Sequence, residues 1–444
     1  MSIVIDNAAI ATVDAAGIEY RSGHVVVDGE WITAVGEGPA PAGAHTRVDG
    51  TGCLVTPGLV NTHHHLYQWA SRGLAADSTL FEWLVELYPI WGRLDAGITH
   101  AAATAGLARL ALTGCTTVAD HHYVFPRDAG DQVDALVSAF GRIGLRGHIV
   151  RGSMDRGVSE GGLPPDNLVE DVESALLGTE HAIDTHHDPA PNARIRIAAG
   201  PCSPFTVTER LMKEAAELAR RKGVRLHTHL AETIDEERQC LAEVGCTPAE
   251  YAERLGWLGD DVWLAHTVHL APGAIRVLGA TGTGSAHCPT SNGRLGTGIA
   301  PVRELIEAGA PVGLGVDGAA SNESGGLGEE LHQALLQARQ RGGPQALTVR
   351  EALWLATMGG ARCLGRQDEI GSLEPGKLAD IAVWRMDGLA HAGIADPVAA
   401  LVLGATPPLR ALLAGGRTVV ADGELRTADE AAITRELRAA SGRL

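Results

Sequence analysis

The chain has no run of about 18 or more apolar residues, which excludes a hydrophobic membrane-spanning helix. Its first residues, MSIVIDNAAIATVDAAG, lack a basic start followed by an apolar stretch, so no secretory leader is read there and the cytoplasm is the expected location. Positive charge is in deficit. Asp and Glu number 54 against 36 Lys and Arg, a formal charge of −18, and such a surface repels phosphate backbones. Neither nucleic acid nor a membrane is expected as a partner. A small neutral or cationic molecule is. The seven cysteines (Cys53, Cys115, Cys202, Cys240, Cys246, Cys288, Cys363) form no CxxC pair, which argues against a structural zinc knuckle or a redox motif and fits a reducing compartment. No polar tract is long enough to read as disorder.

What is present suits a large domain with a smaller companion: 444 residues, 45% of them hydrophobic. The two ends share a β-rich texture. Ser2–Ile5 and His24–Val27 read as strands, with Asp28-Gly29 as a turn. Near the other end Ala379–Trp384, Ala411–Ala414 and Thr418–Ala421 read the same way, before a helix at Ala428–Ala440. The ends are expected to pair into one small β-sandwich. Between them, short apolar runs alternate with helical stretches such as Thr208–Lys222, the pattern of repeated β-α units. Eight candidate strands, Leu54–Val60, Thr116–Ala119, Gly147–Arg151, Ile195–Ala199, Val224–Leu226, Val262–Ala265, Gly284–Ala286 and Val312–Val316, predict a closed eight-stranded β/α barrel. The expected division is residues 1–54 for the first part of the sandwich, 55–366 for the barrel and 367–444 for the rest of the sandwich with the last helix.

Metal-type ligands follow most of these strands. All C-terminal strand ends of such a barrel meet at one mouth. His63 and His65 are two apart in an extended segment and so share a face, while His64 points away. His227 and His229 share a face in the same manner, and Glu232 follows three residues on. Asp317 closes the apolar run Val312–Val316, where a buried charge needs a partner. Singly, these segments also read as a His-rich turn, a polar strand end, and a helix cap or salt bridge. Jointly, His63, His65, His229 and Asp317 offer three imidazoles and a carboxylate, a set suited to zinc or ferrous iron. In this reading Asp317 also accepts a proton from water, Glu232 shuttles one to a leaving group, and His266 stabilises developing negative charge.

These segments resemble the amidohydrolase superfamily over nearly the whole chain. PGLVNTHHH is similar to its first-strand HxH signature, HTHLAE to its fifth-strand His and shuttling Glu, AHTVH to its sixth-strand His, and GLGVDGAASN to its final Asp. SLEPGKLADIAVW is similar to its return into the sandwich. The resemblance lies in the branch of guanine, cytosine and S-adenosylhomocysteine deaminases and triazine hydrolases. It implies His63, His65, His229 and Asp317 as ligands, Glu232 and His266 as proton-transfer residues, and His227 as either a support behind the ligands or a substrate contact. Binuclear members carry a bridging Lys on the fourth strand. The segment Arg194–Cys202 has none, which implies one ion, zinc before iron. The family also implies assembly of identical subunits.

Loop segments narrow the resemblance further: HHHLYQ, LYPIWGRL, GCTTVADHHYVFP, PCSPFTVT, HTHLAETIDEE and HCPTSNGRL are similar to members that deaminate 8-oxoguanine. Loops carry the specificity of a barrel. The implied reaction converts 8-oxoguanine to urate and ammonia. Isocytosine or guanine deamination and s-triazine hydrolysis are the alternatives, and a non-catalytic ligand-binding relative is the alternative of another class. Gln68 is expected to meet an amidine-like edge and Cys202 an oxo group. Thr79–Leu94 reads as a capping helix with Leu80, Leu84, Leu87 and Trp91 at helical spacing, and Trp91 is the expected stacking ring. His122 and Tyr123 are further candidate pocket residues.

Overall fold

A computed structural model describes residues 2–43 and 46–444. Eight parallel strands close into a barrel: Leu59–Asn61, Cys115–His122, Arg146–Ser153, Ile195–Pro201, Leu226–Leu230, Val262–His266, Gly284–His287 and Val312–Leu314. Helices follow the strands on the outside. Their starts are set by Asp and Thr caps, such as Asp131 before Gln132–Ile143 and Thr208 before Glu209–Lys222.

Both chain ends enter one nine-stranded sheet beside the barrel. The seam is Cys53–Pro57, which pairs with Ser2–Ala11 in parallel and with Ile381–Arg385 in antiparallel register. Alternating β-branched residues supply the apolar face: Ile3, Ile5, Val25, Val27, Val55, Ile381 and Val383 pack into one buried cluster. The last helix, Glu430–Ser441, folds back on Ala96–Leu112, and Arg443 pairs there with Asp95.

Two strand expectations change. The run Leu54–Val60 is not one strand but two. It breaks at Gly58, passing from the terminal sheet into the barrel. Pro57 carries no N–H for a ladder, and a Cβ on Gly58 would lie 2.3 Å from the Thr116 side chain, so the crossing needs glycine. The fifth strand lies later than Val224–Leu226 and contains both His227 and His229. Polar residues at its end resemble loop in a hydropathy pattern, although the sixth strand pairs each of them.

A buried ion pair ties the sheet to the barrel. Arg146 opens the third barrel strand and donates from Nε to Asp380 at 3.0 Å, with both side chains buried. Asp380 also accepts from the Gly415 N–H at 2.6 Å. Truncating Arg146 to Ala strands a buried carboxylate. We expect a loss of about 3–5 kcal/mol in urea unfolding. A loss near that of an exposed pair, under about 1 kcal/mol, would mean that water reaches Asp380.

Candidate active site

Beyond Leu314 the chain makes a two-residue parallel ladder, Asp317–Gly318 against His64–His65. This extension sets Asp317 beside the first histidines, with a left-handed backbone at φ 62°. Both Nε2 of His63 and Nε2 of His65 stand 3.3 Å from Asp317 Oδ1. His65 Nε2 stands 3.1 Å from His229 Nε2. The neighbouring His64 turns back to accept the His65 N–H on Nδ1 at 2.8 Å.

Hydrogen bonds fix the tautomer of each of these three imidazoles. His65 Nδ1 donates to the His121 carbonyl and His229 Nδ1 to the Cys202 carbonyl, each at 2.6 Å. His227 Nδ1 donates to the Trp263 carbonyl at 2.8 Å, so its Nε2 must accept. It accepts from His63 Nδ1 at 2.8 Å. All three Nδ1 protons therefore point outward, and three bare Nε2 lone pairs converge. His63 Nε2 is buried without a hydrogen-bond donor. Burial holds His63 and His229 well below the ordinary imidazole range, in the neutral form that ligates. Lone pairs gathered around a carboxylate repel one another unless a cation lies between them. The donor atoms of His63, His65 and Asp317 lie within 4.8 Å of one another, as do those of His63, His229 and His266, which suits a divalent ion, and each imidazole of His63, His65 and His229 has the outer acceptor usual for a metal ligand.

Two more groups border this cluster. Glu232 Oε2 lies 3.6 Å from His266 Nε2, which lies 3.9 Å from Asp317 Oδ2. Burial pushes the Glu232 carboxyl well above its ordinary range, and the charges of Asp317 and Glu236 push it the same way. His266 Nδ1 donates to Asn292 Oδ1 at 3.0 Å. Ser291 Oγ and Ser321 Oγ donate to Asp317 Oδ2 at 2.6 and 3.3 Å.

A small cavity, partly open to solvent, has His65, His229, Glu232, His266 and Asp317 in its wall. Gln68, Tyr123 and Cys202 also line it. The Gln68 Oε1 accepts from the Ala320 N–H at 3.3 Å, and its Nε2 is buried without a partner. Burial pushes the Cys202 thiol up to about 12, so it stays a neutral, weakly polar group.

Other expected residues stand behind the wall. Trp91 is fully buried outside the cavity lining, donates from Nε1 to Ser71 Oγ at 3.0 Å, and meets Trp83 and Tyr88 edge-on at 5.2 and 5.6 Å. It props the two rings that do line the cavity. His122 donates from Nε2 to the Val124 carbonyl at 2.9 Å and packs on Tyr67 and Phe125, also outside the lining. His227 lies outside it too, behind His63.

Sequence reasoning missed Trp83, Tyr88 and Phe205 in the wall and His121 in the cluster. Helix phase carried a signal for Trp83 and Tyr88, since Leu80, Leu84 and Leu87 mark that face. His121 stacks on His229 with centroids 5.0 Å apart and donates from Nε2 to the Gly200 carbonyl at 2.8 Å.

Comparison with known proteins agrees with this geometry. The model of the amidohydrolase family matches residues 54–419. An 8-oxoguanine deaminase of Pseudomonas aeruginosa is 44% identical over 98% of this chain and 97% of its own. An isoxanthopterin deaminase from an unknown prokaryotic organism is 38% identical over 90% of this chain and 87% of its own. Among solved structures, atrazine chlorohydrolase from Arthrobacter aurescens complexed with zinc has a TM-score of 0.93 at 34% identity, covering 99% of this chain and 100% of the other. No helix among the described residues is long and apolar enough to cross a membrane.

Proposed function

On the premise that this chain belongs to the amidohydrolase family, and so is a hydrolase of metal-dependent fold, we propose that it deaminates 8-oxoguanine, giving urate and ammonia. The convergence of three bare Nε2 lone pairs and Asp317 beside one cavity, next to a carboxyl that burial pushes well above its ordinary range, carries the reading of hydrolytic deamination. The choice of base rests on the deaminase relative matched along nearly its whole length.

His63, His65, His229 and Asp317 would hold one divalent ion, zinc before iron. When bound, the ion would supply a water acidic enough to attack at neutral pH. Asp317 accepts the proton that water gives up as its oxygen bonds to the carbon bearing the exocyclic amine. Glu232 delivers a proton to the adjacent ring nitrogen, Asp317 passes the proton it took from water to the leaving amine, and Glu232 regains its proton from the newly attached hydroxyl. The C–N bond breaks, ammonia departs, and a carbonyl remains. With Nδ1 donating to Asn292, His266 would donate from Nε2 toward the oxygen on which charge develops once its ring has taken up a proton. The unpartnered Gln68 Nε2 donates to an acceptor on the edge of the base, and Cys202 gives the far oxo group a neutral neighbour. Trp83, Tyr88 and Phe205 cover the flat face and exclude water. His227 holds the His63 ring in its ligating tautomer.

The test is product release from 8-oxoguanine, guanine, isocytosine and an s-triazine, with metal analysis of the same sample. We expect ammonia, with the highest kcat/KM on 8-oxoguanine. A higher kcat/KM on the triazine, with alkylamine or chloride as product, would replace this reading with the one its structural likeness to a chlorohydrolase favours. Metal retained with no product from any of the four would leave a binding protein.

A further inference from the structure

The pattern Thr-x-x-Glu recurs at helix starts in this chain. Thr79 with Glu82, Thr247 with Glu250, and Thr348 with Glu351 each close an ordinary capping box at the surface. Thr233 with Glu236 opens the helix Ile234–Val244 in the same manner, and Thr233 Oγ1 accepts from the Glu236 N–H at 3.1 Å. The Glu236 side chain behaves differently. It is fully buried, and it reaches past the cap to accept from the N–H groups of Ala231 at 2.9 Å and Glu232 at 2.8 Å.

Those two N–H groups sit at a turn that local propensity does not favour. Ala231 has φ 53°, in the left-handed region where an L-residue needs support from its surroundings. Its carbonyl accepts from the Val268 and His269 N–H groups, each at 2.9 Å. The Leu230 carbonyl accepts from Thr267 at 3.0 Å. His266 and Thr267 are themselves left-handed, at φ 72° and 47°. The exits of the fifth and sixth strands are thus one hydrogen-bonded unit, and the Glu236 carboxylate grips it from below.

We propose that Glu236 is a positioning residue, holding the Ala231–Glu232 turn so that Glu232 stays beside His266 over the reacting amine. This rests on the assignment of proton transfer to Glu232.

The experiment is a double-mutant cycle in the metal-loaded enzyme. Glu236→Gln keeps the volume and one acceptor but turns an N–H toward a backbone N–H. It is expected to cut kcat on the order of 100-fold, as an ångström-scale misplacement does, with KM and metal content near those of the parent. In a Glu232→Gln background the same change should cost nothing further, because Glu236 acts only through Glu232. A purely structural residue would lower activity in both backgrounds, so a further loss in the Glu232→Gln background overturns the proposal, as does a kcat within about threefold of the parent for Glu236→Gln alone. If Glu236→Gln does not fold, Glu236→Asp takes its place in both arms. Its shorter stem cannot span the two N–H groups unshifted, and the same pattern is required of it. Asp235→Asn, exposed in the same helical turn, should leave activity unchanged. Full activity of Glu232→Gln alone would instead remove the proton-transfer assignment itself, an outcome distinct from failure of the Glu236 arm.

Discussion

Exchange of Glu232 for Gln is expected to lower turnover by about 10²–10⁴-fold, the usual share of a positioned acid or base, while metal content stays at the parent level. The side chain keeps its length, and Gln replaces the ionisable carboxyl with an amide that cannot give up and retake the proton. Among the described residues Glu232 is in none of the clusters able to hold an ion, so its loss should not empty the site. Its burial and the facing Asp317 push its carboxyl well above the ordinary range, toward the state that can give a proton to a ring nitrogen. Measuring ammonia release and bound metal on one preparation separates the two effects. Turnover within a few-fold of the parent would mean that another group moves the proton. Among the described residues His266, 3.6 Å from Glu232, is then the group to test.

Much of this site is legible in the order of the amino acids alone, for a physical reason. Ligands on a parallel barrel come from strand ends, and strand ends are where an apolar run stops at His or Asp. His63, His65, His229 and Asp317 each announce themselves in that way. The supporting residues do not. Asn292 meets His266 across 26 positions, Ser291 meets Asp317 across 26, and His227 meets His63 across 164, so no local pattern signals these pairings. Glu236 is hidden differently: its sequence context is an ordinary cap, and only burial shows that its oxygens go elsewhere. The capping helix shows a third limit. Periodicity finds the face that turns to the barrel but not the depth along it. Trp91 lies at the end buried behind the wall, whereas Trp83, two turns earlier, reaches the cavity. In the same way Gly58 could not be recognised as the point where one apolar run changes sheets, because the constraint is a contact with Thr116.

Asp317→Asn should abolish measurable turnover and the hold on the metal together, a larger effect than any single change in the proton path. Asp317 is the only anion in the proposed ligand set. Its two oxygens do separate work: Oδ2 is fixed by Ser291 and Ser321, which leaves Oδ1 facing His63 and His65. An amide has no charge to attract the ion. With its oxygen still held by the two hydroxyls, its NH2 would face the bare Nε2 lone pairs and satisfy them, which stabilises the empty site at the expense of the loaded one. Thermal melting tests this. In the parent, chelation removes a ligand that binds only the folded state, and at an ion concentration of about 1,000 times Kd that stabilisation is about 4 kcal/mol. Its Tm should fall on chelation and return with added zinc. The Asp317→Asn protein should melt at the same temperature with chelator or with zinc, and should carry little metal through a desalting column. Retention of both the metal and the chelator-sensitive Tm would mean that the imidazoles alone hold the ion, and Asp317 would then keep only its role as proton acceptor.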